Sequence, residues 1–346
     1  MAVTVTIRQW PEPIAAEPDR TILEAALAAG VPYPHGCRSG TCGACKSLLV
    51  AGEVILSPYS KFALSEAERR RGLILACRAR AAAPVEVAWL EPPDEVLHPV
   101  RLLGCRVVDL ADLTHDIKRV TLAIETGRPF TFAAGQYASL TFPGQAPRDY
   151  SMANRPSEAR LDFHIRRMVG GAASRFVTSA LQMGDGVGLE GPFGQCYLRE
   201  AHRGPILALA GGSGLAPIKS IVETALAHGQ SQPIHLYFGV RSERDLYLEE
   251  HFRRLARDFP NLTVHPVLSE PEPGTLRRTG MLHQAVAADF ADLAGAKAYV
   301  AGPPVMVEAV APVLLERGLR SEDLHADPFT TEADKAMGGR AVAAAP

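Results

Sequence analysis

Four of the six cysteines fall in one part of the chain. Cys37, Cys42 and Cys45 lie in the run His35-Gly36-Cys37-Arg38-Ser39-Gly40-Thr41-Cys42-Gly43-Ala44-Cys45, and Cys77 follows alone. In a reducing compartment such clustering points to a metal rather than to disulfides. The spacing C-x4-C-x2-C…C is that of a [2Fe-2S] centre. Glycines at 36, 40 and 43 let the backbone wrap closely round a compact inorganic core and aim successive N–H groups at negatively charged sulfides. A structural zinc site is the competing chemistry, but zinc modules usually pair two short C-x2-C knuckles, and here the fourth cysteine stands by itself. Cys105 and Cys196 are isolated and read as small buried hydrophobes.

A second set of residues suits phosphate. The strand-like run Ile206-Leu207-Ala208-Leu209-Ala210 leads into Gly211-Gly212-Ser213-Gly214 and then into a helical pattern through Ile218, Ile221, Val222 and Ala225. Glycines permit close approach of the backbone, and the helix start offers N–H groups and a favourable dipole to a diphosphate. Further back, Arg148-Asp149-Tyr150-Ser151 precedes Phe163-His164-Ile165-Arg166 and the turn Gly170-Gly171-Ala172-Ala173-Ser174, which leads into a helix at Ser174. Taken singly, each of these pieces also reads as an ordinary strand end or turn.

The elements around these residues divide the chain. Val3 to Ile7 alternates as a strand, and Thr21 and Glu24 have capping-box spacing before a short helix ended by Gly30; Ser65 and Glu68 repeat the signal before the fourth cysteine. The proline-rich stretch from Glu91 to Pro99 reads as a linker. From Val100 the pattern is short alternating runs between Gly and Pro turns, which predicts a small antiparallel barrel. Beyond Gly204 apolar runs alternate with helical stretches, the signature of a doubly wound parallel sheet. The expected domains are therefore 1–90, a linker 91–99, 100–202 and 203–330, with a frayed tail 331–346. A formal net charge of -2 without clustered basic runs speaks against nucleic acid. The N-terminus has neither a basic n-region nor a long apolar stretch, so a cytoplasmic protein with no membrane partner is expected.

The cysteine segment resembles the plant-type ferredoxin domain, an α+β fold of the β-grasp type, and the resemblance implies that Cys37, Cys42, Cys45 and Cys77 are the ligands. The order of the later pieces, with Asp185 to Gly194, resembles the ferredoxin-NADP reductase superfamily, which pairs an antiparallel β-barrel flavin domain with an α/β doubly wound nucleotide-binding domain. That resemblance implies Arg148 on the flavin diphosphate, Tyr150 on the isoalloxazine face and Ser151 toward the ring nitrogen that receives hydride. His164, Ile165 and Arg166, with Gly171, Ala172, Ala173 and Ser174, would hold the ribityl chain and phosphates. It further implies Gly211, Gly212, Ser213 and Gly214 on the dinucleotide, Arg241 near its ribose, Gly302 and Pro303 beside the nicotinamide, and Phe329 over the flavin. Ala301 stands where the superfamily has Cys before Gly-Pro-Pro, so an altered hydride-transfer rate is expected. FAD rather than FMN follows from the Gly171 to Ser174 loop and the N-terminal ferredoxin segment; near the ribose Glu243 and Asp245 would repel a 2'-phosphate while Arg241 and Arg244 would attract one, and NADH rather than NADPH follows from the oxygenase-reductase likeness.

The whole arrangement resembles the naphthalene-dioxygenase-type reductases, also in His98-Pro99, in Thr114 to Ile117 and in Ile234 to Ser242. What this implies is an oxidoreductase in which hydride passes from NADH to FAD and a [2Fe-2S] cluster hands electrons singly to a Rieske ferredoxin or ring-hydroxylating oxygenase of aromatic degradation. Reductases of the same layout also serve cytochrome P450 and diiron monooxygenases. A non-catalytic redox sensor or zinc-stabilised binding module is the alternative of another class, and the intact Arg148, Ser151 and Gly211 to Gly214 sets weigh against it.

Overall fold

A computed structural model describes residues 2–61, 63–90, 96, 98–127 and 129–330. Most of the expected linker and the whole expected tail, 331–346, lie outside the described residues. The chain divides into two compact units, one of Met1–Glu95 with Asp327–Pro346 and one of Val96–Ala326.

In the N-terminal unit a mixed sheet runs in the order Ile14–Ala16, Val3–Ile7, Val85–Trp89, Lys46–Ala51, Leu73–Leu75. Val3–Ile7 and Val85–Trp89 are parallel; the other pairs are antiparallel. The helix Ile22–Ala28 begins at Thr21, whose side chain accepts from the Glu24 N–H while the Glu24 carboxylate accepts from the Thr21 N–H, the reciprocal cap that the spacing predicts. Its buried Ile22, Leu23, Ala25 and Ala26 share one core with Val5, Ile7 and Val87 of the sheet. Ser65 and Glu68 form the second capping box, ahead of Glu66–Arg70.

The second unit holds two sheets. In the first, the order is Arg148–Ser151, Tyr137–Thr141, Gly186–Phe193, Arg101–Asp112, Ile117–Thr126, Leu161–Arg166, antiparallel in each pair. Its two edges meet through the bridge from Met152 to Phe163 and the hydrogen bond from the Ala153 N–H to the Asp162 carbonyl, 2.7 Å, which closes the sheet into a barrel. The helix at the Gly-Gly turn runs from Ala172 to Ser179 with Gly171 at its N-cap, starting two residues before the predicted Ser174. Ala172 and Ala173, both good helix formers, open the helix ahead of the serine.

The other sheet runs Arg278–Thr279, Leu262–Leu268, Ile234–Val240, Ile206–Gly211, Lys297–Gly302, Leu324–Pro328. Chain order reverses between Ile206–Gly211, the first of these strands, and Lys297–Gly302, and both neighbours of Ile206–Gly211 are parallel to it. Every residue of Ile206–Gly211 and Lys297–Gly302 is buried, as strands covered on both faces must be. A crevice beyond the carboxyl ends of two such strands is where open α/β sheets bind ligands.

Candidate functional site

The cysteine loop is built by hydrogen bonds to sulfur. The Cys37 Sγ accepts N–H groups from Ser39 at 3.4 Å, Thr41 at 3.3 Å and Cys42 at 3.3 Å, and the Cys42 Sγ accepts those of Cys37 at 3.3 Å and Ala44 at 3.5 Å. The Cys77 N–H donates to the Cys45 Sγ at 3.4 Å. The glycines are needed sterically: a Cβ on Gly36 would stand 3.0 Å from the Cys42 Sγ, and Gly40 and Gly43 both take φ of +78°. The paired Cys42 thiol, with the Ser39 and Thr41 groups, holds the Cys37 thiol well below its ordinary range despite burial, favouring the thiolate that binds metal. Cys42 is pushed up, first by its hydrogen bond to Cys37 and then by burial, and Cys77 likewise by Cys45 and burial.

The sulfurs thus fall into two pairs, Cys37 with Cys42 and Cys45 with Cys77. Sulfurs sharing one tetrahedral zinc at about 2.3 Å would sit only about 3.8 Å apart, all four together. Among the described residues, the group of three or more His, Cys, Asp or Glu ligand atoms lying within 4.8 Å of one another is His115, Asp116 and Asp245, so the cysteines do not form such a nest. Two sulfurs for each of two irons, with N–H donors turned toward them, fit a [2Fe-2S] group instead. Cys105 and Cys196 are buried elsewhere, in apolar cores.

In the barrel, Arg148, Tyr150 and Ser151 occupy a strand that pairs with Tyr137–Thr141. Arg148 is exposed, its guanidinium donating to the Pro147 carbonyl at 2.8 Å; Tyr150 is half-buried with its ring edge-on to Phe142; Ser151 is buried. Burial pushes the Tyr150 phenol up to about 12, so it stays neutral. On the opposite barrel edge His164 and Ile165 are buried, and only the backbone of Ile165 is available to a ligand, since its side chain lies in the barrel core. The turn before Ala172–Ser179 is tied by the Ser174 hydroxyl, which accepts from the Met168 N–H at 3.0 Å and donates to the Gly171 carbonyl at 3.3 Å. A Cβ on Gly171 would meet that hydroxyl at 2.6 Å, and the helix that follows has no side-chain cap, which leaves N–H groups of its first turn for phosphate.

The glycine loop stands where the sequence predicts it. Gly212–Gly214 forms a tight turn between Ile206–Gly211 and the helix Leu215–Ala227. Space here is set by the neighbouring Ala301-Gly302-Pro303 segment: a Cβ on Gly214 would stand 2.1 Å from the Ala301 carbonyl oxygen, and one on Gly211 2.5 Å from the Met306 sulfur and 3.0 Å from Pro303. Gly302 takes φ of +147° and lies against Gly211. The two loops that were read separately therefore make one cradle at the switch point. Arg241 is exposed just past Ile234–Val240. Phe329 is half-buried and counts with the N-terminal unit.

Several contacts of this region join residues whose pairing carries no sequence signal. Arg166 donates to Asp116 at 2.7 Å, and its guanidinium is the nearest neighbour of a Cβ placed on Gly212, at 3.2 Å. The imidazole of His164 meets the Tyr247 hydroxyl at 3.2 Å, and that hydroxyl donates to the Gly212 carbonyl. Burial, then the charges of Lys219 and Arg119, push His164 down to about 3, so it is neutral. The segment after Ser151 is held by the nucleotide-side helix: Lys219 Nζ donates to the Ala153 carbonyl at 3.2 Å and the Ser220 hydroxyl to that of Asn154 at 2.7 Å. These partners lie 35 to 83 residues apart in sequence, so no short motif could reveal them. Among the described residues no helix is long and apolar enough to cross a membrane.

Comparison with known proteins agrees with this geometry. Three family models match: the 2Fe-2S iron-sulfur cluster binding domain over residues 5–82, the oxidoreductase FAD-binding domain over 104–197 and the oxidoreductase NAD-binding domain over 208–312. The reductase component of the naphthalene 1,2-dioxygenase/salicylate 5-hydroxylase systems of Ralstonia sp. is 40% identical over 91% of this chain and 94% of its own length. The aromatic O-demethylase reductase subunit of Amycolatopsis sp. is 39% identical over 92% and 96%. The crystal structure of an Amycolatopsis cytochrome P450 reductase superposes with a TM-score of 0.75 at 37% identity, covering 95% of this chain and 99% of that one. The chain belongs to the family of ferredoxin–NAD(P)(+) reductase components, oxidoreductases that join a 2Fe-2S domain to FAD- and NAD-binding domains.

Proposed function

We propose that the chain is the NADH-oxidising reductase of an aromatic-ring oxygenase system, cytoplasmic, which passes electrons to a Rieske ferredoxin or directly to the oxygenase. The observation that carries this is the 40% identity with a naphthalene-dioxygenase reductase component across nearly all of both chains. A cytochrome P450 partner is the second reading, favoured by the 37% identical P450 reductase with the same coverage of domains. In this reading the domains span 1–90, 100–202 and 203–330.

When bound, FAD would supply an acceptor for the hydride of NADH and a [2Fe-2S] group would supply one-electron transfer. The residues supply position and charge. Cys37 and Cys42 would hold one iron and Cys45 and Cys77 the other. Arg148 would grip the flavin diphosphate with its planar fork. Tyr150 would pack on the ring, Ser151 would donate toward its hydride-accepting nitrogen, and Phe329 would cover it. His164, the Ile165 backbone and Arg166, with Gly171, Ala172, Ala173 and Ser174, would line the ribityl and phosphate path. Gly211 to Gly214 would seat the NADH diphosphate, Gly302 and Pro303 would border the nicotinamide, and Arg241 would lie near the ribose. No acid-base pair is required for the hydride transfer itself, and the one proton left over when the electrons go on singly is released to solvent.

Purified anaerobically, the protein is expected to be coloured, with about two irons and one FAD per chain, and to reduce cytochrome c faster with NADH than with NADPH. Colourless, iron-free material, or bound FAD with no acceptor reduced, would overturn the proposal.

A further inference from the structure

The segments that close around the four cysteines have an unusual charge pattern. Residues 57–61, 63 and 64 lie against the cysteine loop through Ser60 N–H to the Gly40 carbonyl at 2.9 Å, and a Cβ on Gly43 would come to 3.2 Å from the Ala63 carbonyl oxygen. The segment at Cys77 joins it through Ala76 N–H to the Cys45 carbonyl, 3.1 Å, and Ser57 N–H to the Arg78 carbonyl, 2.8 Å. Arg78 lies directly over Gly40, where a Cβ would meet its Cγ at 2.8 Å. These three stretches, 36–45, 57–64 and 76–80, contain Arg38, Lys61, Arg78 and Arg80 and not one Asp or Glu, in a chain whose acids outnumber its bases.

Two of the cations are spoken for by the loop. Arg78 is half-buried over Gly40, and Arg38, though exposed, meets the His35 imidazole at 3.0 Å. Lys61 and Arg80 are exposed, and Arg80 pairs across its strand with Ile55, an aliphatic side chain that is 63% exposed. Neither cation is required to build the cysteine loop.

We infer that this basic rim, with Arg38, Lys61 and Arg80 exposed on it and Ile55 beside Arg80, is the docking surface for an electron acceptor that presents carboxylates around its own redox centre. The inference rests on the reading of the chain as a one-electron reductase. Cations ringing the point of electron exit would steer an acidic protein to it and repel a basic one, because opposite charges raise the encounter rate and salt suppresses the effect. One NADH gives two electrons, so two ferric haems become ferrous as NADH becomes NAD+ and one proton is released.

The test uses the full holoenzyme and two haem-protein probes of opposite charge, an acidic cytochrome b5 and a basic cytochrome c. At low ionic strength, where the Debye length is about 30 Å, reduction of cytochrome b5 is expected to be fast and to slow by about tenfold as salt is raised; reduction of cytochrome c is expected to speed up. In the double variant Lys61→Glu, Arg80→Glu both salt slopes should flatten or invert, with about a tenfold change in the ratio of the two rates at low salt. Reduction of the flavin by NADH, followed by its own absorbance, should be unchanged. Salt slopes of the same sign for both probes, or slopes unmoved by the double variant, overturn the basic rim as a docking surface while leaving the reductase intact. Flavin reduction with no electron reaching either probe overturns the reductase reading itself.

Discussion

At the scale of single residues, the barrel edge is governed by side chains that never meet in sequence. Arg166 is fixed by Asp116, whose carboxyl is held below its usual range by the Arg166 and Thr114 hydrogen bonds and the Arg166 charge, against partial burial. Replacing Asp116 by Asn keeps the shape and removes the charge that aims the guanidinium. If Arg166 holds flavin phosphate, Asp116→Asn should weaken FAD retention about five- to tenfold, the worth of part of one charge-assisted bond; a fluorescence titration of apoprotein with FAD measures it. His164 tests a different quantity. Its folded form stays neutral down to about pH 3, whereas an unfolded histidine takes its proton near 6.5. Between those values the unfolded chain binds the extra proton, so this contribution to stability is complete above about pH 6.5 and is lost as the pH falls. Urea unfolding at pH 7 and pH 5 should differ by about 2 kcal/mol more in the wild type than in His164→Gln, and an equal pH dependence in both would remove His164 from the account. The four cysteines were legible in sequence because one metal group demands their types at short spacing. The pairing of Asp116 with Arg166 and of Tyr247 with His164 was not, because an ion pair or hydroxyl contact can be supplied from any element that the fold brings near.

At the scale of elements, local chemistry predicted the pieces and tertiary crowding set their limits. Both capping boxes formed where Thr21 and Ser65 precede a glutamate by three residues, since that reciprocal bonding needs only its own turn. The helix after Gly171 began earlier than its serine suggested because Ser174 is used inside the turn, tying Met168 to Gly171. The strand–glycine–helix unit was plain in sequence, but the reason for each glycine was not. Gly214 is small because the Ala301 carbonyl occupies the space a side chain would need, and Gly211 because Met306 and Pro303 do. A carbonyl of a buried strand cannot swing aside as a flexible side chain can. Gly214→Ala should therefore cost about 3 kcal/mol or more and abolish the NADH-induced shift in melting temperature. Gly229→Ala, with open space but φ of +70°, should cost only about 1–2 kcal/mol and leave that shift intact. Equal losses in the two variants would show that the backbone conformation, and not the packing of the two loops, limits this site.

At the scale of the whole molecule, three sequence segments become two compact units, because the barrel and the parallel sheet share packing that no linker interrupts. Ile117, Ala134, Cys196 and Leu198 from the barrel region lie in the same apolar cluster as Ile218, Ile221 and Val222 of the nucleotide-side helix. Lys219 and Ser220 add polar ties to the chain just past Ser151. The sequence carries the change of periodicity near Gly204 but not the burial that welds the two sides together. Val96 and His98, in the stretch read as linker, illustrate the same gap: the Val96 N–H donates to the Tyr197 hydroxyl at 2.9 Å, and His98 meets the Thr131 hydroxyl at 3.0 Å. Two units with separate cores should unfold in two steps rather than one. The metal group belongs to one of them, and a ligand that binds only the folded form stabilises the unit that holds it. Removing iron with a chelator should therefore lower the melting transition of the N-terminal unit, read by its Trp10 and Trp89, the chain's two tryptophans. The transition read by release of flavin fluorescence should stay within about 2 °C, since a coupling below about 1 kcal/mol moves a domain of this size by no more than a few degrees. A single transition in the holoprotein that shifts as a whole on iron removal would mean that the two cores fold as one.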